Sequence, residues 1–327
     1  MGIKTEILVQ IPKERKHITG EHIKGIVKFQ LDKETVFKSI SLSFVQKSYC
    51  SWVENAHIYE KRFLSPVRHR PKIGNIYRFD GQENKVIEKI DFLNKEANEN
   101  VKLSLGSYAY PFEIFIPENL PPSIKTNIGF IKYYFVLKFE KPGLFNWNKT
   151  FRTQLSIYPR VDTSVVGEPV TFKFDKTLIQ QQISVTGELE KGFFNSSQER
   201  RITFAVTNNS DVTFTLKTEL VSNTKYTDTD PGISDLKFEE TKTVEEVVDY
   251  CTVKTPIVPD NSVANMFNIL PPVTPEHLTV RHSKIISKEY KVRVTLMLPI
   301  PYANESIDIP VFIGEEVSDE EYYEEIC

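Results

Sequence analysis

The chain has 327 residues, 40% of them hydrophobic and 26% charged, with a formal net charge of −3. That balance describes a soluble globular protein with room for two ordinary domains, and it gives no electrostatic reason to expect a nucleic-acid partner. The 22 Phe and 14 Tyr, against 13 Gly and 3 Met, favour strands over helices.

The N-terminus lacks the apolar core of a signal peptide, because Lys4, Glu6, Lys13, Glu14, Arg15 and Lys16 interrupt it. No apolar run approaches the ~20 residues of a membrane span. Met1-Gly2 opens like a myristoylation site, but Glu6 stands where that motif needs Ser or Thr. Cys50, Cys251 and Cys327 are odd in number and far apart, which points to a reduced intracellular compartment. Cys50 reads as a buried structural thiol.

In chain order, residues 6–11 read as a first strand stopped by Pro12. Lys13, Arg15, Lys16 and His17 form a basic turn. Gly20 to Gly25 leads into Val27, Phe29 and Leu31, which alternate as a half-buried strand does. Ile40, Leu42 and Phe44 make a third strand running toward Trp52. Lys61, Arg62, Arg68, His69, Arg70 and Lys72, with Pro66 and Pro71, make a second basic loop. Over 84–99 the spacing of Val86, Ile90, Leu93 and Ala97 predicts a short helix. Tyr108, Tyr110, Phe112, Ile114 and Ile116 then share one face. The turn Leu120-Pro121-Pro122-Ser123 follows, and Ile131, Tyr133, Phe135, Leu137 and Phe139 share a face beyond it. The pattern predicts a hairpin at the centre of the first module, which closes with 151–158.

Residues 160–178 read as an extended linker. The second module opens with Ile183, Val185, Gly187 and Leu189. Ile202, Phe204 and Val206, then Asn208 to Asp211, then Val212, Phe214 and Leu216 give a hairpin signal. A polar loop is expected over 223–240. The Leu-Pro-Pro phrase returns as Leu270-Pro271-Pro272, followed by Tyr290, Val292, Val294, Leu296 and Leu298 at period two. The chain ends in an acidic stretch, 315–327, expected to be disordered. The prediction is an all-β protein of two tandem antiparallel immunoglobulin-like β-sandwiches, 1–159 and 179–314, with one short helix in the first.

No catalytic, cofactor or metal residue emerges. The six histidines lie at no metal-ligand spacing, and there is no nucleophile elbow, phosphate loop or dinucleotide fingerprint. The candidate binding residues are the basic turns: Lys13, Arg15, Lys16, Lys61, Arg62, Arg68, Arg70 and Lys72. Arginine's planar fork suits a phosphate or carboxylate, so an anionic tail or lipid headgroup is the expected ligand. The acidic C-terminal stretch is a candidate intramolecular competitor for the same surface.

Several phrases together resemble the arrestin family, and its arrestin-domain-containing (α-arrestin) type in particular. Leu105-Gly106-Ser107-Tyr108-Ala109-Tyr110-Pro111-Phe112, Ile116-Pro117 and Leu120-Pro121-Pro122-Ser123 resemble the middle of an arrestin N-terminal domain. Gly20-Glu21-His22-Ile23-Lys24-Gly25 resembles that type's Pro-Gly-x-x-Val-x-Gly phrase, with Thr19 in place of proline. Gly187 to Gly192, Ile202 to Val206 and Pro310-Val311-Phe312-Ile313-Gly314 resemble an arrestin C-terminal domain. Asn195-Ser196-Ser197-Gln198-Glu199 departs from that family's Pro-Gly-Glu turn.

The resemblance implies a non-enzymatic cytoplasmic adaptor in membrane-protein trafficking, endocytosis and signalling, acting on the cytoplasmic tails of membrane proteins. It also implies peripheral association with the plasma membrane or endosomes. Many α-arrestins recruit ubiquitin ligases through Pro-Pro-x-Tyr, and this chain has no such motif. The alternative is an arrestin-fold structural scaffold in a coat complex, like the arrestin-fold subunit of retromer.

Overall fold

The structure is a computed structural model. It describes residues 3–9, 16–55, 72–74, 76–93, 100–143, 148–161, 168–178, 181–195, 198–229, 240–274 and 277–315. These residues form strands and no helix. The first half contributes β1 Ile3–Val9, β2 His17–Ile18, β3 His22–Leu31, β4 Thr35–Phe37, β5 Ser39–Asn55, β6 Lys72–Ile73 and β7 Ile76–Asp91. It continues with β8 Val101–Leu103, β9 Gly106–Phe115, β10 Ile124–Lys125, β11 Gly129–Glu140, β12 Lys149–Leu155 and β13 Ile157–Tyr158. The second half contributes β14 Val170–Leu178, β15 Gln181–Leu189, β16 Phe193–Asn195, β17 Arg200–Asn208 and β18 Thr215–Thr227. It ends with β19 Thr241–Thr252, β20 Asn261–Leu270, β21 Ile286–Met297 and β22 Glu305–Gly314.

Each half builds a small sheet facing a larger one. In the first, β1-β3-β9 faces β10-β11-β5-β7-β6, with β12 also paired to β11. In the second, β14-β15-β17-β20 faces β16-β22-β21-β18-β19. Alternation decides which side of each strand is inside. Odd-numbered residues of β11 are buried from Gly129 to Phe139, and even-numbered residues of β21 from Ile286 to Leu296. Aromatic rings bridge the first core edge to face, Phe29 on Phe139 and Phe112 on Phe135, each 5.1 Å between centroids.

Four expectations are corrected. The predicted helix over 84–99 is a strand as far as Asp91, and residues 94–99 lie outside the described set. β7 pairs antiparallel with β5, and a bulge opposite Phe44 and Val45 leaves Ile87 as the extra residue. A bulge breaks period two. It therefore puts Ile87 and Ile90, three apart, both against the core, while Val86 stays 60% exposed. That spacing imitates a helix in the sequence.

The two predicted hairpins are crossovers between sheets. β9 pairs with β3 in the small sheet, whereas β11 pairs with β5, β10 and β12 in the large one. Likewise β17 lies in the small sheet of the second half and β18 in the large one. Turn residues announce that the chain reverses; they do not say which sheet receives the next strand. The first crossover runs through the interior, where Leu120, Pro121 and Pro122 are buried. Prolines bring no N–H that burial would strand. The crossover is hydrogen-bonded in the interior: Ser123 N–H donates to Ile157 O at 2.8 Å, Ile157 N–H to Ser123 Oγ at 2.9 Å, and the Tyr133 hydroxyl to Pro121 O at 2.5 Å.

The linker expected over 160–178 is shorter than read. Residues 170–178 form β14, an antiparallel partner of β15 that adds a fourth strand to the small sheet of the second half. Its apolar alternation at Val170, Phe172, Phe174 and Leu178 is the overlooked signal. Finally, β18 runs on to Thr227, so the start of the loop expected over 223–240 is strand; residues 230–239 lie outside the described set.

The same device appears in both small sheets. A glycine faces a phenylalanine on the neighbouring strand, Gly25 opposite Phe112 and Gly187 opposite Phe172. A Cβ at Gly25 would lie 2.4 Å from the Phe112 ring, and one at Gly187 2.2 Å from the Phe172 ring. Each ring lies over its glycine and fills the space a side chain would take.

Candidate functional site

Of the predicted basic residues, Lys16 alone is described with its side chain. Lys72 is in β6, with only its backbone described, and Lys13, Arg15, Lys61, Arg62, Arg68 and Arg70 lie outside the described residues. The convergence of the two basic loops is therefore an expectation carried forward.

Lys16 ends the first basic turn and sits at the seam between the halves. Its Nζ lies 2.5 Å from Glu315 Oε1 and 5.0 Å from the centre of the Tyr158 ring. Glu315 is the first residue of the acidic stretch and is itself buried. Its backbone is bracketed by the chain leaving the first half: Glu315 N–H donates to Pro159 O at 3.2 Å and Val161 N–H to Glu315 O at 3.1 Å. The acidic stretch thus starts against a member of the basic turn. Next to Lys16, His17 pairs with Ile157 in the parallel β2–β13 contact, and burial pushes its imidazole below the usual range.

Sequence reasoning missed the rest of this seam. Thr19 is buried; its N–H donates to Tyr158 O at 3.0 Å, and its Oγ1 accepts the Arg160 N–H at 2.9 Å. The residue that replaces the family's proline is therefore the one that grips the outgoing chain. The next residue, Gly20, has φ +89°, and its Cβ position is crowded by Glu118 and Arg160. A turn of that hand favours glycine. Arg160 Nη1 stands 4.0 Å from Glu118 Oε1. The departure of Thr19 from the Pro-Gly phrase was the visible signal, but its partner lies 141 positions away.

A second charged group covers the outer face of the large sheet in the second half. Arg293 on β21 holds Asp308 on β22 with two bonds, at 2.8 and 3.1 Å, and reaches Glu245 on β19 at 3.0 Å. Lys291 reaches Glu245 at 3.0 Å and Asp308 at 2.7 Å. The Arg293 bonds hold the Asp308 carboxyl below its usual range, and those of Lys291 and Arg293 do the same for Glu245. Every charge in this group is answered by its neighbours, so it braces the sheet. Among the described residues no cluster of His, Cys, Asp and Glu could hold a metal ion.

Residues 7–164 match the N-terminal domain of arrestin (or S-antigen), and residues 180–317 match its C-terminal domain. The chain belongs to the arrestin family. Arrestin domains are non-catalytic adaptor folds. A stretch of 67 residues is 34% identical to arrestin-related trafficking adapter 3 of Saccharomyces cerevisiae. That stretch covers 20% of this chain and 6% of the yeast protein, so the chain spans only a small part of that relative. The match agrees with the α-arrestin type. The two matches fall on the two sandwiches, with β14 of the second lying just ahead of its match, and the Lys16–Glu315 contact joins the end of the second to the first.

Proposed function

We propose that this arrestin-family chain is a non-enzymatic cytoplasmic adaptor in membrane-protein trafficking, binding the cytoplasmic tails of membrane proteins at the plasma membrane or endosomes. The observation that carries the reading is the ordered pair of arrestin domains, N-type then C-type, spanning both sandwiches. The name of the yeast relative, a trafficking adapter, supports it. No helix among the described residues is long and apolar enough to cross a membrane.

The tail-binding surface in this reading is the basic pair of turns, with Lys13, Arg15 and Lys16 in one and Lys61, Arg62, Arg68, Arg70 and Lys72 in the other. Arginine and lysine there would pair with acidic or phosphorylated side chains. A ubiquitin ligase, if one is recruited, must be engaged by something other than Pro-Pro-x-Tyr, which the sequence lacks.

Proximity labelling in the native cell tests the role. Recovery of transmembrane proteins with varied tails supports the adaptor, whereas a fixed stoichiometric set of coat subunits would replace it with the scaffold reading. The surface is tested apart from the role. Replacing Arg68, Arg70 and Lys72 with Ala should weaken binding to a phosphorylated tail peptide about tenfold or more, given ~1 kcal/mol or more per charge-assisted bond. Unchanged binding would remove the basic turns from the proposal.

A further inference from the structure

The larger sheet of the first sandwich has a gap in its side-chain cover where the second sandwich docks. Gly129 on β11, Cys50 on β5 and Gly81 on β7 form one register row across three adjacent strands. Two glycines and a small thiol make this row a low place in the sheet.

The second sandwich fills it. A Cβ at Gly81 would lie 2.3 Å from Thr227 O, 2.8 Å from Cys50 Sγ and 3.1 Å from Ile285 Cγ2. At Gly129, the other end of the row, the crowding comes from the neighbouring strand of the same sheet: a Cβ there would lie 2.4 Å from Tyr49 O and 2.8 Å from the Cys50 Cβ. The Cys50 Sγ donates to Thr227 O at 3.5 Å. The inserted piece is tied to itself, since Thr227 N–H donates to Ile285 O at 2.8 Å.

The rim is hydrogen-bonded. Gln82 N–H donates to Thr229 Oγ1 at 2.9 Å and Thr229 N–H to Asp80 O at 3.3 Å. Around it Tyr226, Val280, Ile285 and Ile286 pack into the hydrophobic core of the first sandwich. The second point of attachment is the Glu315 seam, where β22 ends against Pro159 and Val161.

We propose that the notch at Cys50 and Gly81 is the seat that fixes the second sandwich on the first, so that the two move as one body and part only when Thr227 and Ile285 leave it. Attachment at the notch and at Glu315 fixes an orientation, which one point would not. The seat tolerates no added atom, so the docked state is a discrete packing arrangement that cannot relax gradually. It also buries Cys50 completely, and parting the sandwiches uncovers the thiol. Burial pushes that thiol up to about 11, which keeps it unreactive while docked.

The test is maleimide labelling of the full chain carrying Cys251→Ser and Cys327→Ser, so that Cys50 is the one thiol, with X-ray scattering in parallel. In the otherwise native chain Cys50 should react about a hundredfold slower than a free thiol at the same pH. Gly81→Val should raise the rate at least tenfold and increase the radius of gyration, with the far-UV β signal retained. Should Gly81→Val fail to fold, Thr229→Val decides. It removes only the hydroxyl's bonding to the Gln82 backbone, leaves the Thr229 N–H bond to Asp80 O in place, and should raise the rate about fivefold, as expected for a loss of about 1 kcal/mol. The labelled protein should stay extended in scattering, because a notch that cannot take one carbon cannot take the adduct. The proposal is overturned if Cys50 of the native chain reacts like a free thiol, if the variant that folds labels no faster, or if faster labelling comes without any change in scattering.

Discussion

Single side chains here act mostly by closing a specific gap or bond. Gly187 has its neighbour's ring where a Cβ would stand, so Gly187→Ala must push Phe172 aside in a packed core. A loss of about 1–3 kcal/mol is expected, read as a lower denaturant midpoint at unchanged slope. Tyr133→Phe removes the donor to Pro121 O in the buried crossover, and about 1–2 kcal/mol should go with it. The second copy of the phrase differs: Tyr290 is also buried, but it meets His277 edge to face. The outer network sets a pH dependence whose sign follows from its carboxylates. Asp308 and Glu245 are depressed in the folded state, so their contribution is present above the unfolded value near pH 4 and is lost as pH falls through the lower folded values. Arg293→Met should flatten this acid limb of the stability profile and, near pH 7, cost about 1 kcal/mol or less, a cost that added salt reduces because the group is partly exposed.

At the scale of elements, β7 is the most informative segment. Its sequence carries the spacing of an amphipathic helix, yet it pairs with β5 over nearly its full length. Amide hydrogen exchange should therefore show alternating protection across residues 77–91, stronger at amides that face β5, where a helix would protect consecutive amides. Uniform protection of consecutive amides from 84 to 91 would contradict the strand. The helix was read from Val86, Ile90, Leu93 and Ala97; Ile90 and Leu93 do reach the core, but Val86 is exposed, and the bulge at Ile87 interrupts the alternation that would have marked a strand. β14 was hidden differently: charged and polar residues between its apolar positions look like a linker until β15 supplies the partner. The Leu-Pro-Pro phrases, by contrast, were legible as strand ends. Their destination was not, because pairing is decided by contacts across the sandwich and the turn sequence carries no record of them.

For the whole molecule, the seam at Lys16 and Glu315 joins the beginning of the first sandwich to the end of the second. If the acidic stretch beyond Glu315 competes for the basic turns, removing residues 316–327 should tighten binding of an anionic tail peptide several-fold at low salt, with the gain shrinking as salt rises. Equal affinity with and without the stretch would show that it does not compete.

The sequence by itself determined the all-β class and two modules in order, because period-two burial and repeated Pro-marked strand ends are local patterns along the chain; the family was legible separately, in the resemblance of phrases such as Leu105 to Phe112 and Pro310 to Gly314. Its candidate residues, the basic runs, are read from charge alone, which is visible without a fold; of their side chains only that of Lys16 is among the described residues. The tertiary structure decided what no local pattern holds: which sheet receives each strand, where a bulge reverses the alternation, and which distant residues meet. Thr19 with Arg160, Lys16 with Glu315, and Cys50 with Thr227 and Ile285 are each separated by more than a hundred positions. The β2–β13 pairing within the first half brings Thr19 to Arg160, and the packing of one sandwich on the other brings the other two sets within bonding distance.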